Sequence, residues 1–227
     1  WKRPQNNDFA VAEEVTVVGQ ATKRPDVVLY VNGIALGVLE LKRSVVSMAE
    51  GIRQHLDNQK ADFIRGFFAT TQLLMAGNAT EGLRYGVIET PEKYWLEWKE
   101  EDVGWSPQTP VEPKYPAPWD RVAESKLIVQ LSWLCEKRRF LELVHDFIVF
   151  DAGIKKPCRQ NQFFGVRAAQ GYVHQRQGGV IWHTQGSGKS LTMVWLAKWI
   201  REHVTDPRVL IITDRTELDE QIEKVFK

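Results

Sequence analysis

The sequence predicts an α/β chain made of two units joined by a helical connector. Three observations carry that expectation. A long apolar hairpin, RPDVVLYVNGIALGVLELKRS at 24–44, is followed by a helical pattern and further short strands. A stretch at 91–119 holds Pro91, Pro107, Pro110, Pro113, Pro116 and Pro118, which forbids a long helix or central strand there. Beyond it, the apolar runs GGVIW and RVLIIT flank a helical pattern in β-α-β order. The expected domains are 1–118, a connector over 119–151, and an incomplete second α/β domain over 152–227.

Each element has a local reason. Asn32-Gly33 is a turn signal, and the strands on either side are apolar on both faces: Val27, Leu29, Leu39 and Leu41 on one, Val28, Tyr30, Leu36 and Val38 on the other. That is the pattern of a central strand pair covered on both sides. A helix is expected over 48–64, a strand over 66–71 or 72–75, and a strand pair at 84–89 and 95–98, together forming a mixed sheet. In the connector, Leu127, Leu131 and Leu134, then Phe140, Leu143, Val144 and Phe147, recur at helical spacing over 121–135 and 139–147. A helix over 190–204 completes the second unit.

Composition narrows the partners. With 227 residues, 43% apolar and 26% charged, the chain fills one large or two small globular domains. Its formal net charge of +1 exerts no global pull toward nucleic acid or membrane, so any nucleic-acid contact must be local. Cys135 and Cys158 have neither metal-ligand spacing nor the count of a disulfide scaffold, which suits a reducing cytoplasm. No apolar run approaches the roughly 18 residues of a membrane span. The N-terminus, WKRPQNND, has no start methionine, so the chain reads as a piece of something longer.

The most specific motif is HTQGSGKS, 183–190, between a predicted strand and a predicted helix. Such a turn aims backbone N–H groups and the helix N-terminus at an anion. It is a phosphate cradle: Thr184, Gln185, Gly186, Ser187 and Gly188 frame the phosphates, Lys189 reaches the outer ones, and the Ser190 hydroxyl ligates Mg²⁺ of a bound ATP. His183 stands where the generic pattern has glycine, a relaxation that resembles superfamily 2 helicases and translocases. CRQNQFFGVRAA, 158–169, resembles their adenine-reading Q motif, with Gln162 placed 27 residues before Lys189. From the residue alone, a surface glutamine without ligand is an equal reading. TDRTELDEQI resembles their motif Ia, with Thr216 to Asp219 as a capping box and Asp214 and Arg215 at a strand end.

The hairpin mouth carries Asp26, Glu40 and Lys42. In a two-residue loop Val31 faces Ile34, Asp26 faces Leu39, and Glu40 falls on the opposite face. If Gly33 instead forms a G1 bulge, Tyr30 pairs with Ile34, and Asp26, Glu40 and Lys42 share a face. Gly33 is expected to bring them together in this way. Two carboxylates at the edge of such a core are costly to desolvate unless a cation sits between them. An ordinary strand entry and a solvent-facing Glu/Lys pair remain the plainer reading of these three residues alone. Their spacing resembles the PD-(D/E)xK nuclease signature, in which Asp26 and Glu40 would hold Mg²⁺ and Lys42 would activate water. Gln54 matches the glutamine that RecB-like nucleases carry on the next helix, though Asn58 replaces their tyrosine.

Taken in order, these motifs resemble the restriction (R) subunit of Type I restriction-modification enzymes over nearly the whole chain. The resemblance implies a restriction-endonuclease-like mixed-sheet domain followed by the first part of a RecA-like motor lobe. It also implies ATP and Mg²⁺ as cofactors, double-stranded DNA as substrate, modification and specificity subunits as partners, and a cytoplasmic location. The Asp-Glu pair and arginine fingers needed for hydrolysis fall beyond Lys227, so this fragment alone is expected to bind ATP and turn it over negligibly. A helicase-nuclease of DNA repair and a non-catalytic ATP-binding scaffold are the alternatives. Five histidines show no ligand spacing, Trp195 and Trp199 read as core, and Lys137-Arg138-Arg139, Lys155 and Lys156 as solvated charge.

Overall fold

A computed structural model describes residues 3–100 and 125–212, which fall in two compact units, one ending at Val144 and one beginning at His145. The first contains, in chain order, β1 (Phe9–Glu13), a short ribbon of β2 (Val17–Val18) and β3 (Thr22–Lys23), β4 (Val27–Val31), β5 (Ile34–Leu41), α1 (Ala49–Asn58), β6 (Leu73–Asn78), β7 (Gly82–Gly86), α2 (Lys126–Leu134) and all but the last two residues of α3 (Lys137–Asp146). Five strands make one mixed sheet in the order β1-β4-β5-β6-β7. Every pairing is antiparallel except β5 with β6, and α1 is the crossover that a parallel pair requires. The hairpin is thus central, as its doubly apolar faces predict.

One sheet face, with Val38, Leu74 and Ala76, packs on Met48 and Ile52 of the α1 segment and on Ile64, Phe68 and Trp95. The helix is shorter than the expected 48–64. The Ile64 N–H is taken by the Asn58 carbonyl at 3.2 Å, so the chain folds back and buries Ile64 instead of continuing the helix. Residues 65–69 form a 3₁₀ turn, and the strand is the later alternative, buried along its whole length. Of the expected pair at 84–89 and 95–98, β7 forms, and the second member contributes a single bridge, Tyr85 to Leu96. Strand β1 has no signature in the sequence, because FAVAE is too short and too exposed to show a periodicity of its own.

The other face is covered by the helices expected as a connector. The Gln130 side chain of α2 accepts the Leu83 N–H at 2.7 Å and donates to the Trp98 carbonyl at 2.9 Å, tying the helix to β7 and to the segment beyond it. Cys135 Sγ lies 3.6 Å from Met75 Sδ, and Phe140, Leu141 and Leu143 of α3 are buried. The unit therefore runs through Val144, past the 118 read from the prolines. Most of the proline-rich stretch lies outside the described residues.

The second unit contains the hairpin β8 (Ile148–Asp151) and β9 (Ile154–Pro157), then α4 (Gln160–His174) and α5 (Lys189–His203). Its core gathers Phe147, Phe163 and Trp195, with ring centroids 4.7 Å apart for the first two and 6.2 Å for Phe147 and Trp195. Trp195 and Trp199 are buried, as their spacing predicts. The expected strands at 178–182 and 208–213 are a correction: the described residues of both segments carry no strand pairing, and Val180, Trp182, Leu210 and Ile212 are each more than 80% exposed. A strand exists only within a ladder, and none of the described residues offers either segment a partner. No helix among the described residues is long and apolar enough to cross a membrane.

Candidate functional site

The first site is made by a register change in the central hairpin. Asn32 and Gly33 both have positive φ, 51° and 77°, and Val31 pairs with Ile34, so the turn is a two-residue loop of the I′ kind. The bulge expected at Gly33 does not form. Left at that register, Glu40 would face away from Asp26. Tyr30, however, pairs with Ala35 while Leu29 pairs with Gly37, which leaves Leu36 as an extra residue in β5. This bulge slips the ladder by one position, and every later side chain of β5 changes face relative to β4. Val27 then faces Leu39, and the next position outward sets Asp26 opposite Glu40. The convergence expected of the hairpin is therefore present, and Leu36 produces it.

Helix α1 brings the fourth group. It approaches closely because residue 51 is glycine: a Cβ there would lie 3.2 Å from the Ala76 Cβ and 3.5 Å from the Glu40 Cβ. Gln54, one turn on, donates from Nε2 to Glu40 Oε2 at 2.7 Å and accepts from Lys42 Nζ at 2.7 Å through Oε1. Lys42 Nζ is also 3.9 Å from Glu40 Oε2. Asp26 is half-buried, and its Oδ2 accepts the Leu41 N–H at 2.7 Å. Glu40 is fully buried, and its second oxygen, Oε1, has no hydrogen-bond partner.

Burial, reinforced by the Asp26 carboxylate and only partly opposed by Lys42, pushes the Glu40 carboxyl up to about 8. A buried, half-satisfied carboxyl beside a second carboxylate is expensive in a closed core and ordinary in a cation site. The donor set of two carboxylates fits a hard divalent ion such as Mg²⁺.

Glu40 and His55 make a stability signature. The folded protein holds the Glu40 proton up to about pH 8, the unfolded chain only to 4.5, so this contribution is lost as pH rises between those values. His55 is buried against Trp95, with Nε2 2.8 Å from the Met75 carbonyl, and burial lowers it from 6.5 to about 4, so its contribution is lost as pH falls between those values. The two slopes cancel from 4.5 to 6.5. Above 6.5 Glu40 is the one of the two that still acts, and it should cost the metal-free protein about 1.4 kcal/mol per pH unit up to pH 8. Denaturant unfolding in EDTA at stepped pH measures this. Glu40→Gln should flatten the profile above 6.5, and an unaltered decline in that variant would refute the assignment.

The second site is the turn 183–188 leading into α5. Gly186 and Gly188 have φ of 76° and 82°, backbone that side chains rarely adopt, and Gly188 opens the helix. Lys189 Nζ lies 3.1 Å from the His183 carbonyl and 3.0 Å from that of Thr184, inside its own loop. Ser187 Oγ is buried without a partner. An orphaned hydroxyl and a lysine resting on loop carbonyls, at the start of a fifteen-residue helix, fit an anionic ligand such as the phosphates of ATP. Ser190 is half-buried on the first turn of α5, while Thr184 and Gln185 are exposed on the loop. Gln162, the expected adenine reader, is buried beside the loop. Its Oε1 accepts the Arg159 N–H at 2.7 Å, and its Nε2 donates to the carbonyls of Ser187 at 3.2 Å and Gly188 at 2.9 Å, so its amide grips the end of the 183–188 turn.

Three of the remaining charged candidates have structural partners. Lys137 lies over the Phe9 ring, Arg139 pairs with Glu100, and Lys156 with Asp151. His145, Asp146 and Glu202 bring ligand-type atoms within 4.8 Å of one another, a juxtaposition sequence spacing does not reveal. Asp214, Arg215 and the capping box of Thr216 to Asp219 lie outside the described residues.

Sequence comparison finds similar proteins for both parts of the chain. Residues 161–227 match the family model of the SWI2/SNF2 ATPase, and residues 1–93 match that of the Type I restriction enzyme R protein N terminus. The chain is a relative of the Type I restriction endonuclease subunits. It is 26% identical to the putative type I restriction enzyme MjaIXP endonuclease subunit of Methanocaldococcus jannaschii, over 97% of this chain and 23% of that protein. It is also 26% identical to the HindI endonuclease subunit of Haemophilus influenzae, over 97% of this chain and 21% of that one. The SsaAORF53P endonuclease subunit of Staphylococcus saprophyticus gives 26%, with 97% and 22% covered. The chain thus spans less than a quarter of the length of these relatives.

Proposed function

We propose that this chain carries the nuclease site and the start of the motor of an ATP-dependent Type I restriction endonuclease subunit. In this reading the first unit is a restriction-endonuclease-like domain and the second begins a RecA-like lobe. The whole protein moves double-stranded DNA at the expense of ATP and cleaves it, working with modification and specificity subunits. The observation that carries the reading is the meeting of Asp26, Glu40, Lys42 and Gln54 at one mouth of the central hairpin, in a chain that continues into a phosphate loop.

Asp26 and Glu40 would hold the Mg²⁺. The ion supplies Lewis-acid polarisation of the scissile phosphate when bound. The chain's own groups do the rest. Lys42, steered by Gln54 Oε1, presents its ammonium beside the acids, where it orients water and offsets charge that develops on the phosphate. Gln54 holds Glu40 through one amide end and Lys42 through the other, fixing the distance between carboxyl and ammonium. In the second unit Lys189 would exchange its loop carbonyls for phosphate oxygens, Ser190 would ligate the Mg²⁺ that accompanies ATP, and Thr184 to Gly188 would line the phosphates.

The hairpin reading is tested by metal titration without nucleotide. Because Glu40 is held protonated at pH 7, Mg²⁺ entering beside it should release about one proton per ion. Calorimetry in buffers of different ionisation enthalpy counts that proton. Release should vanish in Glu40→Gln, and binding without proton release in the unaltered protein would argue against metal at this carboxyl.

A further inference from the structure

The phosphate loop departs from the generic pattern at His183, and the fold gives that residue a specific seat. A Cβ at Gly165 of α4 would lie 3.2 Å from both Cε1 and Nε2 of the His183 ring, tighter than ordinary contact. Gly165 stands three residues after Gln162, on the same face of α4. That face therefore meets the loop at two points: Gln162 holds its far end through the Ser187 and Gly188 carbonyls, and the bare backbone at Gly165 receives the ring at its near end. The His183 carbonyl in turn accepts from Lys189 Nζ at 3.1 Å. The His183 Nδ1 is buried without a hydrogen bond, so packing at Gly165, and no polar partner of that nitrogen, locates the ring.

We propose that His183 is a positioning residue for the nucleotide site, wedged at Gly165 so that α4 clamps the phosphate loop at both ends and holds it in its binding shape. This rests on the nucleotide reading of the loop. A glycine at 183 leaves the near end unbraced, and a methyl group at 165 presses on the ring that braces it and makes it give by a few tenths of an ångström. The two positions are coupled: once the ring is gone, a methyl at 165 has nothing to displace.

A double-substitution cycle on the intact protein tests this, with MgATP affinity measured by calorimetry and folding followed by the thermal midpoint. His183→Gly and Gly165→Ala should each weaken MgATP binding, by up to about tenfold, and the double variant should be no weaker than His183→Gly alone. ATPase at saturating ATP should change far less than the KM for ATP, a split that general damage to the fold would not give. Costs that simply add in the double variant overturn the inference. If Gly165→Ala does not fold, His183→Gly decides alone, and unchanged affinity there overturns it. Lys189→Ala separates the two levels: retained MgATP binding in that variant overturns the nucleotide reading and this inference with it, whereas additive costs with Lys189 still required overturn the clamp alone.

Discussion

Replacing Asp26 or Lys42 by alanine in the intact protein should remove DNA cleavage, by about 10²–10³-fold or more, while ATP hydrolysis persists. The two substitutions fail for different reasons. Asp26→Ala leaves Glu40 as the lone acid at the mouth and takes away the carboxylate whose Oδ2 holds the Leu41 N–H, so cation affinity should fall with cleavage. Lys42→Ala removes the ammonium 2.7 Å from Gln54 Oε1 and 3.9 Å from Glu40, so the cation should still bind while the reaction slows. Measuring Mg²⁺ binding and cleavage together therefore distinguishes a ligand from a group that serves the reaction. ATPase is the internal control, because both positions lie in the first unit and the 183–190 turn in the second. If cleavage survived both substitutions, the hairpin would be an ordinary core strand pair with a charged edge.

The residue types of this site are legible in the chain, but the means of assembling it are not. Alternation along β4 and β5 says which residues share a strand face, yet register across the pair depends on a single unopposed residue. Leu36 carries no turn chemistry and looks like any other apolar residue of the hairpin. Asn-Gly, by contrast, announces its turn, and the turn forms; what it does not disclose is that the slip occurs three residues later. Gln54 is legible as a position on a helix, but its reach to both Glu40 and Lys42 depends on the close approach permitted at Gly51.

The second unit shows the complementary limit. HTQGSGKS is specific enough to place a glycine turn and a helix start from sequence, and Gly186 and Gly188 do adopt positive φ with the helix beginning at Lys189. The apolar runs beside it read as strands because burial and β-propensity go together in sequence. Strand formation needs a neighbour, and among the described residues 178–182 and 208–212 have none. Gln162 shows a similar gap. Its amide chemistry is readable, but whether that amide faces an adenine or the loop beside it is a matter of tertiary packing.

Lys189→Ala should abolish MgATP binding and, in the intact protein, every activity that depends on ATP, including cleavage coupled to DNA movement. Lys189 Nζ rests on two backbone carbonyls, at 3.1 and 3.0 Å, and is exposed, so its removal leaves no buried charge unpaired and should alter folding stability by no more than about 0.5 kcal/mol. The expected loss is therefore in binding and not in folding. A lysine ammonium among loop N–H groups and a helix N-terminus supplies a full positive charge, and partial charges alone neutralise a triphosphate poorly. Mg²⁺ binding at Asp26 and Glu40, measured without nucleotide, should be unaffected, which makes the variant the mirror image of Asp26→Ala. A protein that lost cleavage in both variants, but metal binding only in one and ATP binding only in the other, would have its motor and its blade in separate units that must act together. Full MgATP affinity in Lys189→Ala would remove the phosphate loop from the mechanism.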